Sequence, residues 1–165
     1  MIAVSNSSPL IILARVDCFL LLNRLFSRLI ISPEVYKEVV IAGKGLPGAA
    51  EVAGAAWIES RQFRDPETFA MVLKQHPLGA GELSAILLAK ECSADAVLLD
   101  DHQARQLAKR EGLTVLGTVG LLEAFHVRGH LPDLSATFRK LLAENAYIDR
   151  RLLDRRLKLL GLPTL

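Results

Sequence analysis

Apolar positions along this chain fall into short runs separated by stretches with helical spacing. Ile2 to Ser5 is a brief apolar run that stops at Asn6-Ser7-Ser8-Pro9, which predicts a strand, a turn and a helix start. Asn, Ser and Pro at such a junction supply helix-capping chemistry. Leucine spacing predicts a helix over Cys18 to Phe26. Leu29 to Ser32 reads as a second strand, feeding through Pro33-Glu34 into a helix up to Val40. Three glycines and a proline between Gly43 and Gly48 mark a loop. A short helix over Ala49 to Ala55, a strand over Trp57 to Ser60 and a helix over Pro66 to Lys74 follow. After Leu78, the positions Leu83, Ile86, Leu87 and Lys90 keep the i, i+3, i+4, i+7 spacing of a helix buried on one face. Ala94 to Leu99 is a clean buried strand ending at Asp100-Asp101. A helix over His102 to Glu111 stops at Gly112, and Leu113 to Leu116 reads as another strand. Val119 to Val127 is helical and ends near Gly129; Leu134–Glu144 and Asp149–Leu160 close the pattern as two more helices.

Short apolar strands alternating with helices predict parallel βαβ units, hence an α/β fold with a mostly parallel sheet covered on both faces. The chain of 165 residues shows no repeat and no low-complexity segment, which fits one domain, residues 1–130, with a C-terminal helical extension, 131–165, packed on it. An apolar content of 51% excludes global disorder. No apolar run approaches the roughly 20 residues that span a bilayer. The most apolar early stretch, Pro9 to Leu22, is broken by Arg15 and Asp17 and lacks the flanks of a signal peptide, so a cytoplasmic protein is expected. Cys18 and Cys92 sit far apart in apolar helical patterns, as buried free thiols rather than a disulfide or zinc framework.

Net charge is +2, too small to announce a nucleic-acid binder, but it is unevenly spread. Residues 1–125 hold 12 Lys/Arg against 14 Asp/Glu, net −2, and residues 126–165 hold 8 against 4, net +4. Such a tail either touches phosphates or is a solvated helix face. Its last helix sets Leu152, Leu153, Leu157, Leu159 and Leu160 beside Arg150, Arg151, Arg155, Arg156 and Lys158, an amphipathic pattern suited to packing on the core or on a second subunit.

In parallel sheets, ligands bind beyond the carboxyl ends of the strands. Asn6 follows the first strand, Asp100-Asp101 follow a later one, and Glu82 opens a helix behind Gly79-Ala80-Gly81. Each alone is ordinary: Asp caps helices and Glu complements the helix dipole. The adjacent pair is more suggestive, because only one aspartate can cap and like charges side by side repel. If the sheet brings Asn6, Glu82, Asp100 and Asp101 together, the donors are all hard oxygens, which select Mg²⁺ or Mn²⁺ over zinc. Divalent ions there would serve in-line attack on a phosphodiester.

Three segments carry a family resemblance. Ala3-Val-Ser-Asn-Ser-Ser-Pro-Leu-Ile, Leu78-Gly-Ala-Gly-Glu-Leu-Ser-Ala-Ile-Leu-Leu-Ala and Val97-Leu-Leu-Asp-Asp-His-Gln-Ala-Arg look like the motifs of PIN-domain proteins, nearest to a PIN-like subfamily related to the VapC toxin ribonucleases. Leu113-Thr-Val-Leu-Gly-Thr-Val-Gly-Leu-Leu resembles the family's following strand and helix start. The resemblance implies a three-layer α/β/α fold, Mg²⁺- or Mn²⁺-dependent endoribonuclease activity, a role as the toxin of a toxin–antitoxin pair, a small antitoxin partner and a homodimer. It places Asn6 where an aspartate is usual, Glu82 at the helix-start acid, and, as the best match, Asp101 at the aspartate after the fourth strand, with its neighbour Asp100 the other candidate ligand. Ser8 matches the hydroxyl that braces the first loop, through a backbone hydrogen bond. The resemblance leaves the family's further acidic position without a match after Asp101, where Gln103 and Arg105 stand.

Other readings are weighed on the same residues. Asn6 and the missing acid suit a PIN-like fold without catalysis, acting as an RNA-binding or protein-interaction module. A phospho-accepting receiver would need its acidic pair after the first strand, where this chain has Asn-Ser-Ser. Arg105, four residues after Asp101, is spaced to pair with it or to reach a phosphate. Arg151, Arg155 and Arg156 are the candidate RNA-backbone contacts. His126 and His130 share i, i+4 spacing but straddle a helix end at Gly129. Gly79-Ala80-Gly81 lacks the Lys-Ser/Thr of a phosphate loop. One Trp and 5% aromatic residues offer little for stacking bases.

Overall fold

The computed structural model describes residues 1–144 and 147–165. Five strands, β1 (Ile2–Ser5), β2 (Arg28–Ile31), β3 (Ile58–Ser60), β4 (Ala96–Leu98) and β5 (Val115–Leu116), form one sheet in the order β3-β2-β1-β4-β5, every pair parallel. Ala3 of the central β1 pairs with Leu29 on one side and Ala96 on the other. Side chains alternate across the pleat, so the strands feed two cores. Ala3, Leu29, Ile31 and Leu98 enter one; Val4, Ile30, Val97 and Leu99 enter the other. Burial on both faces is why these strands are runs of apolar residues without polar alternation. The result is a three-layer α/β/α architecture.

The first core is closed by α1 (Ser7–Arg15), α8 (Thr118–Val127), α9 (Leu134–Ala143) and α10 (Arg150–Leu159). Leu134, Phe138 and Leu141 of α9 and Leu153 and Leu157 of α10 join the same apolar cluster as β1. The second core is closed by α5 (Pro66–Gln75), α6 (Ala80–Glu91) and α7 (His102–Arg110). α2 (Leu22–Leu25), α3 (Pro33–Tyr36) and α4 (Ala49–Gly54) complete the helices. None of the described helices is long and apolar enough to cross a membrane.

Several elements are shorter than their apolar pattern. Cys18 to Phe26 is a 3-10 turn over Phe19–Leu21 followed by the single-turn α2, after Asp17 leaves α1 with φ of 58°. The apolar run from Ala94 begins pairing only at Ala96, because the Ala94 N–H closes the end of α6 on the Ala89 carbonyl. Leu113 likewise closes α7 on Ala108. The helix begun at Pro33 continues through a π-helical stretch, Lys37–Ala42, a local widening that re-aims side chains.

Candidate active site

A cleft of about 890 Å³ opens beyond the carboxyl ends of β1 and β4. The chain runs outward from β1 to β2 and β3 on one side, and to β4 and β5 on the other, so this is the switch point of the sheet, where α/β folds bind ligands. Asn6, Ser8, Glu82, Asp100, Asp101, Arg105, Thr118, Glu123 and Arg156 all line it.

Asn6 stands at the N-cap position of α1 with extended backbone, and its backbone N–H donates to the Leu98 carbonyl at 3.0 Å. Its side chain caps nothing. A β-carbon on Gly81 would lie 2.9 Å from Asn6 Oδ1 and 2.8 Å from Glu38 Oε1. The Asn6 amide oxygen and the Glu38 carboxylate therefore converge over Gly81, and the glycine is what lets them. Sequence reasoning missed Glu38, which sits at the start of the π-helical stretch. Two anchors deliver it. Ser7 Oγ donates to Glu38 Oε2 at 2.5 Å. Ser32 caps α3 through the Val35 N–H, and its hydroxyl meets Ser84 Oγ of α6 at 2.7 Å. Small residues in that buried contact hold α3 against α6.

The two aspartates divide their work. Asp101 is the N-cap of α7, its Oδ1 accepting from the Ala104 N–H at 2.8 Å. Asp100 reaches across the cleft instead. Its Oδ1 accepts from the Thr118 N–H at 2.7 Å, and its Oδ2 from Thr118 Oγ1 at 2.7 Å and Ser8 Oγ at 3.1 Å. Ser8 thus braces the site through this carboxylate rather than through backbone. Asp100 has the more central place, although the motif comparison leaned to Asp101. Thr118, fully buried at the start of α8, was also missed. Arg105 does not pair with Asp101. Its Nη1 donates to the Leu99 carbonyl at 3.1 Å and packs over Gly117, whose missing side chain makes the room.

Glu82 lines the same cleft but turns back on its own helix, accepting from the Gly79 N–H at 3.0 Å. This is the carboxylate half of a capping box. Among the described residues, no three His, Cys, Asp or Glu side chains stand close enough to hold one metal ion. The donor set, an amide oxygen and carboxylates without His or Cys, nevertheless fits a hard divalent cation. No salt bridge neutralises Glu38, Glu82 or Asp100 among the described residues.

The basic tail is split. Arg156 forms a two-pronged pair with Glu123, Nε to Oε1 at 2.5 Å and Nη2 to Oε2 at 2.6 Å. That bond raises the Arg156 pKa further above its ordinary value. With its fork occupied, Arg156 locks α10 to α8 along the cleft wall. Arg151 and Arg155 are exposed.

No curated protein matches this sequence. Among solved structures, the chain is similar to a PilT N-terminus domain protein, SSO1118, from the hyperthermophilic archaeon Sulfolobus solfataricus P2. The TM-score is 0.51 and the identity 19%, over 75% of this chain and 92% of that one, which supports the fold. A family model described as "DUF3368: PIN domain" matches residues 2–162. With a parallel five-stranded α/β/α fold and an oxygen-lined cleft at its switch point, the chain belongs to the PIN-domain family, whose members are generally nucleases.

Proposed function

We propose that this protein is a metal-dependent endoribonuclease that hydrolyses RNA phosphodiesters in the cleft beyond β1 and β4. The observation that carries the reading is that Asn6, Glu82 and Asp100, distant in sequence, line one cleft, with Glu38 beside Asn6 over Gly81. Asn6, Glu38, Glu82 and Asp100 would hold Mg²⁺ or Mn²⁺, which supplies an activated water and neutralises charge at a phosphodiester. Glu82 must leave the Gly79 N–H to take part. Asp101 stays near as a carboxylate committed to its cap. Ser8 and Thr118 orient Asp100, whose three accepted hydrogen bonds leave one lone pair, on Oδ1, for a cation. Arg105 stands beside Asp100, placed to meet a substrate phosphate. Exposed Arg151 and Arg155 extend a positive surface along α10 for the RNA backbone. The likeness to VapC toxins supports a toxin role, with a small antitoxin as partner and a homodimer as the assembly.

A second reading is an inactive PIN-like module that binds RNA or protein. The self-capped Glu82 and the neutral Asn6 favour it. Thermal unfolding with and without millimolar Mn²⁺ separates the two, because a ligand that binds the native state raises Tm. The ribonuclease reading requires a rise that Asp100→Asn removes. An unchanged Tm in the wild-type protein selects the inactive module. Co-purification of a small partner from the native cell tests the antitoxin.

A further inference from the structure

A second, smaller hollow of about 270 Å³ lies on the other side of α7 from the cleft. Helix α7 walls both spaces. Asp101, His102 and Arg105 of α7 face the cleft, whereas Gln103, Gln106 and Arg110 face the hollow. Glu82 lines the cleft, and the segment just before it, His76 to Leu78, lines the hollow. The two sites are therefore separated by the width of α7, a helix about 10 Å across.

The lining has the character of a recognition pocket. Pro77, Leu78 and Leu107 supply apolar walls. Gln103, Gln106 and Arg110 stand at i, i+3 and i+7 on one face of α7, and among the described residues none makes a side-chain hydrogen bond. His76 Nδ1 accepts from the Leu78 N–H at 3.3 Å. In the neutral ring this puts the hydrogen on Nε2, a donor. The pocket thus offers fixed donors from His76 and Arg110 and ambivalent amides from the two glutamines. Its volume is near the lower limit of ligand pockets, about 300 Å³, which suits one flat heterocycle rather than a whole nucleotide.

We propose that this hollow receives a purine base of the RNA strand held in the cleft, read at its N7 edge. Only purines present N7, an acceptor for Arg110 or His76. The adjoining group is an amine in adenine and a carbonyl in guanine, and a glutamine amide meets either. The inference rests on the ribonuclease reading and deepens it by naming a base preference one helix width from the cut.

The test uses the whole protein in two assays. In a ¹⁵N NMR titration with AMP, GMP, CMP and UMP, without divalent metal, the side-chain amides of Gln103 and Gln106 shift with AMP and GMP only. Gln106→Ala and Arg110→Ala abolish the response; both positions are exposed, so the fold is retained. Equal shifts for purines and pyrimidines, or none at these amides, overturn the proposal. In Mn²⁺-dependent cleavage of a random-sequence RNA, the wild type favours a purine within about two nucleotides of the cut, and Arg110→Ala lowers that preference by about fivefold or more. An unchanged preference overturns it. Purine-specific shifts in a protein that cleaves no RNA support the pocket while defeating the ribonuclease reading. Cleavage without purine-specific shifts does the reverse.

Discussion

Asn6 and Glu38 meet over Gly81: a β-carbon there would lie 2.9 Å from the amide oxygen of one and 2.8 Å from the carboxylate of the other. Two groups from separate helices converge on a point that the helix start of α6 leaves empty. The relationship makes Gly81 part of the site, although it carries no chemistry.

Gly81→Ala is expected to separate folding from metal binding. Alanine gains up to about 1 kcal/mol of helix propensity over glycine. The crowding falls on two side-chain ends, the Asn6 amide and the Glu38 carboxylate, which can move, so Tm changes by less than about 4 °C. The Mn²⁺-induced rise in Tm drops well below that of the wild type. Differential scanning calorimetry with and without Mn²⁺ measures both.

Asp100 and Asp101 are expected to behave as different residues. Asp101→Ala removes the α7 cap and costs about 1 kcal/mol of stability. Asp100→Asn keeps an oxygen for the Thr118 N–H, and its new N–H₂ can donate to the Ser8 and Thr118 hydroxyls, so the fold survives. Urea titrations of both variants, run beside a Mn²⁺ titration, should find the stability loss in Asp101→Ala and the metal loss in Asp100→Asn.

Arg156 and Glu123 should show coupling in a double-mutant cycle. The Glu123 side chain is 11% exposed, so Arg156→Ala strands a carboxylate and costs roughly 1–3 kcal/mol. Arg156 itself is half in solvent, which keeps the figure below that of a fully buried pair. Glu123→Gln placed on Arg156→Ala recovers part of the loss. Additive effects by urea unfolding would show that the Arg156–Glu123 pair contributes nothing to holding α10.

Cys18 gives the pH prediction. Burial, with Asp17 adding to it, pushes its thiol up to about 11 from the ordinary 9.0. A raised folded-state value means stability is whole below pH 9 and is lost as pH climbs from 9 through 11. In a Cys92→Ser background, thiolate absorbance should rise near pH 11 in the folded protein and near 9 after unfolding.

Much of this was legible in the chain before folding. The apolar runs at Ile2–Ser5 and Ala94–Leu99 mark strands buried on both faces, the second pairing over Ala96–Leu98, and the polar residues after them, Asn6 and Asp100, fall at the cleft. Glu38 was not legible because nothing local marks it, and only the fold, through the Ser7 hydroxyl and the approach over Gly81, shows what it faces. The glycine one residue before Glu82 was the available signal, since glycine inside a first helical turn marks a close approach. Asp100 and Asp101 could each have been the cap; the turn geometry at Ala104 decided between them. Thr118 lay hidden because nothing local distinguishes it from a helix-start threonine.

The most direct test is cleavage of a labelled single-stranded RNA by the purified protein in Mn²⁺. Cutting is expected in the wild type, stopped by EDTA and absent in Asp100→Asn and Glu38→Gln. An intact strand in the wild-type reaction with either Mn²⁺ or Mg²⁺, or continued cutting by Asp100→Asn, would contradict the account.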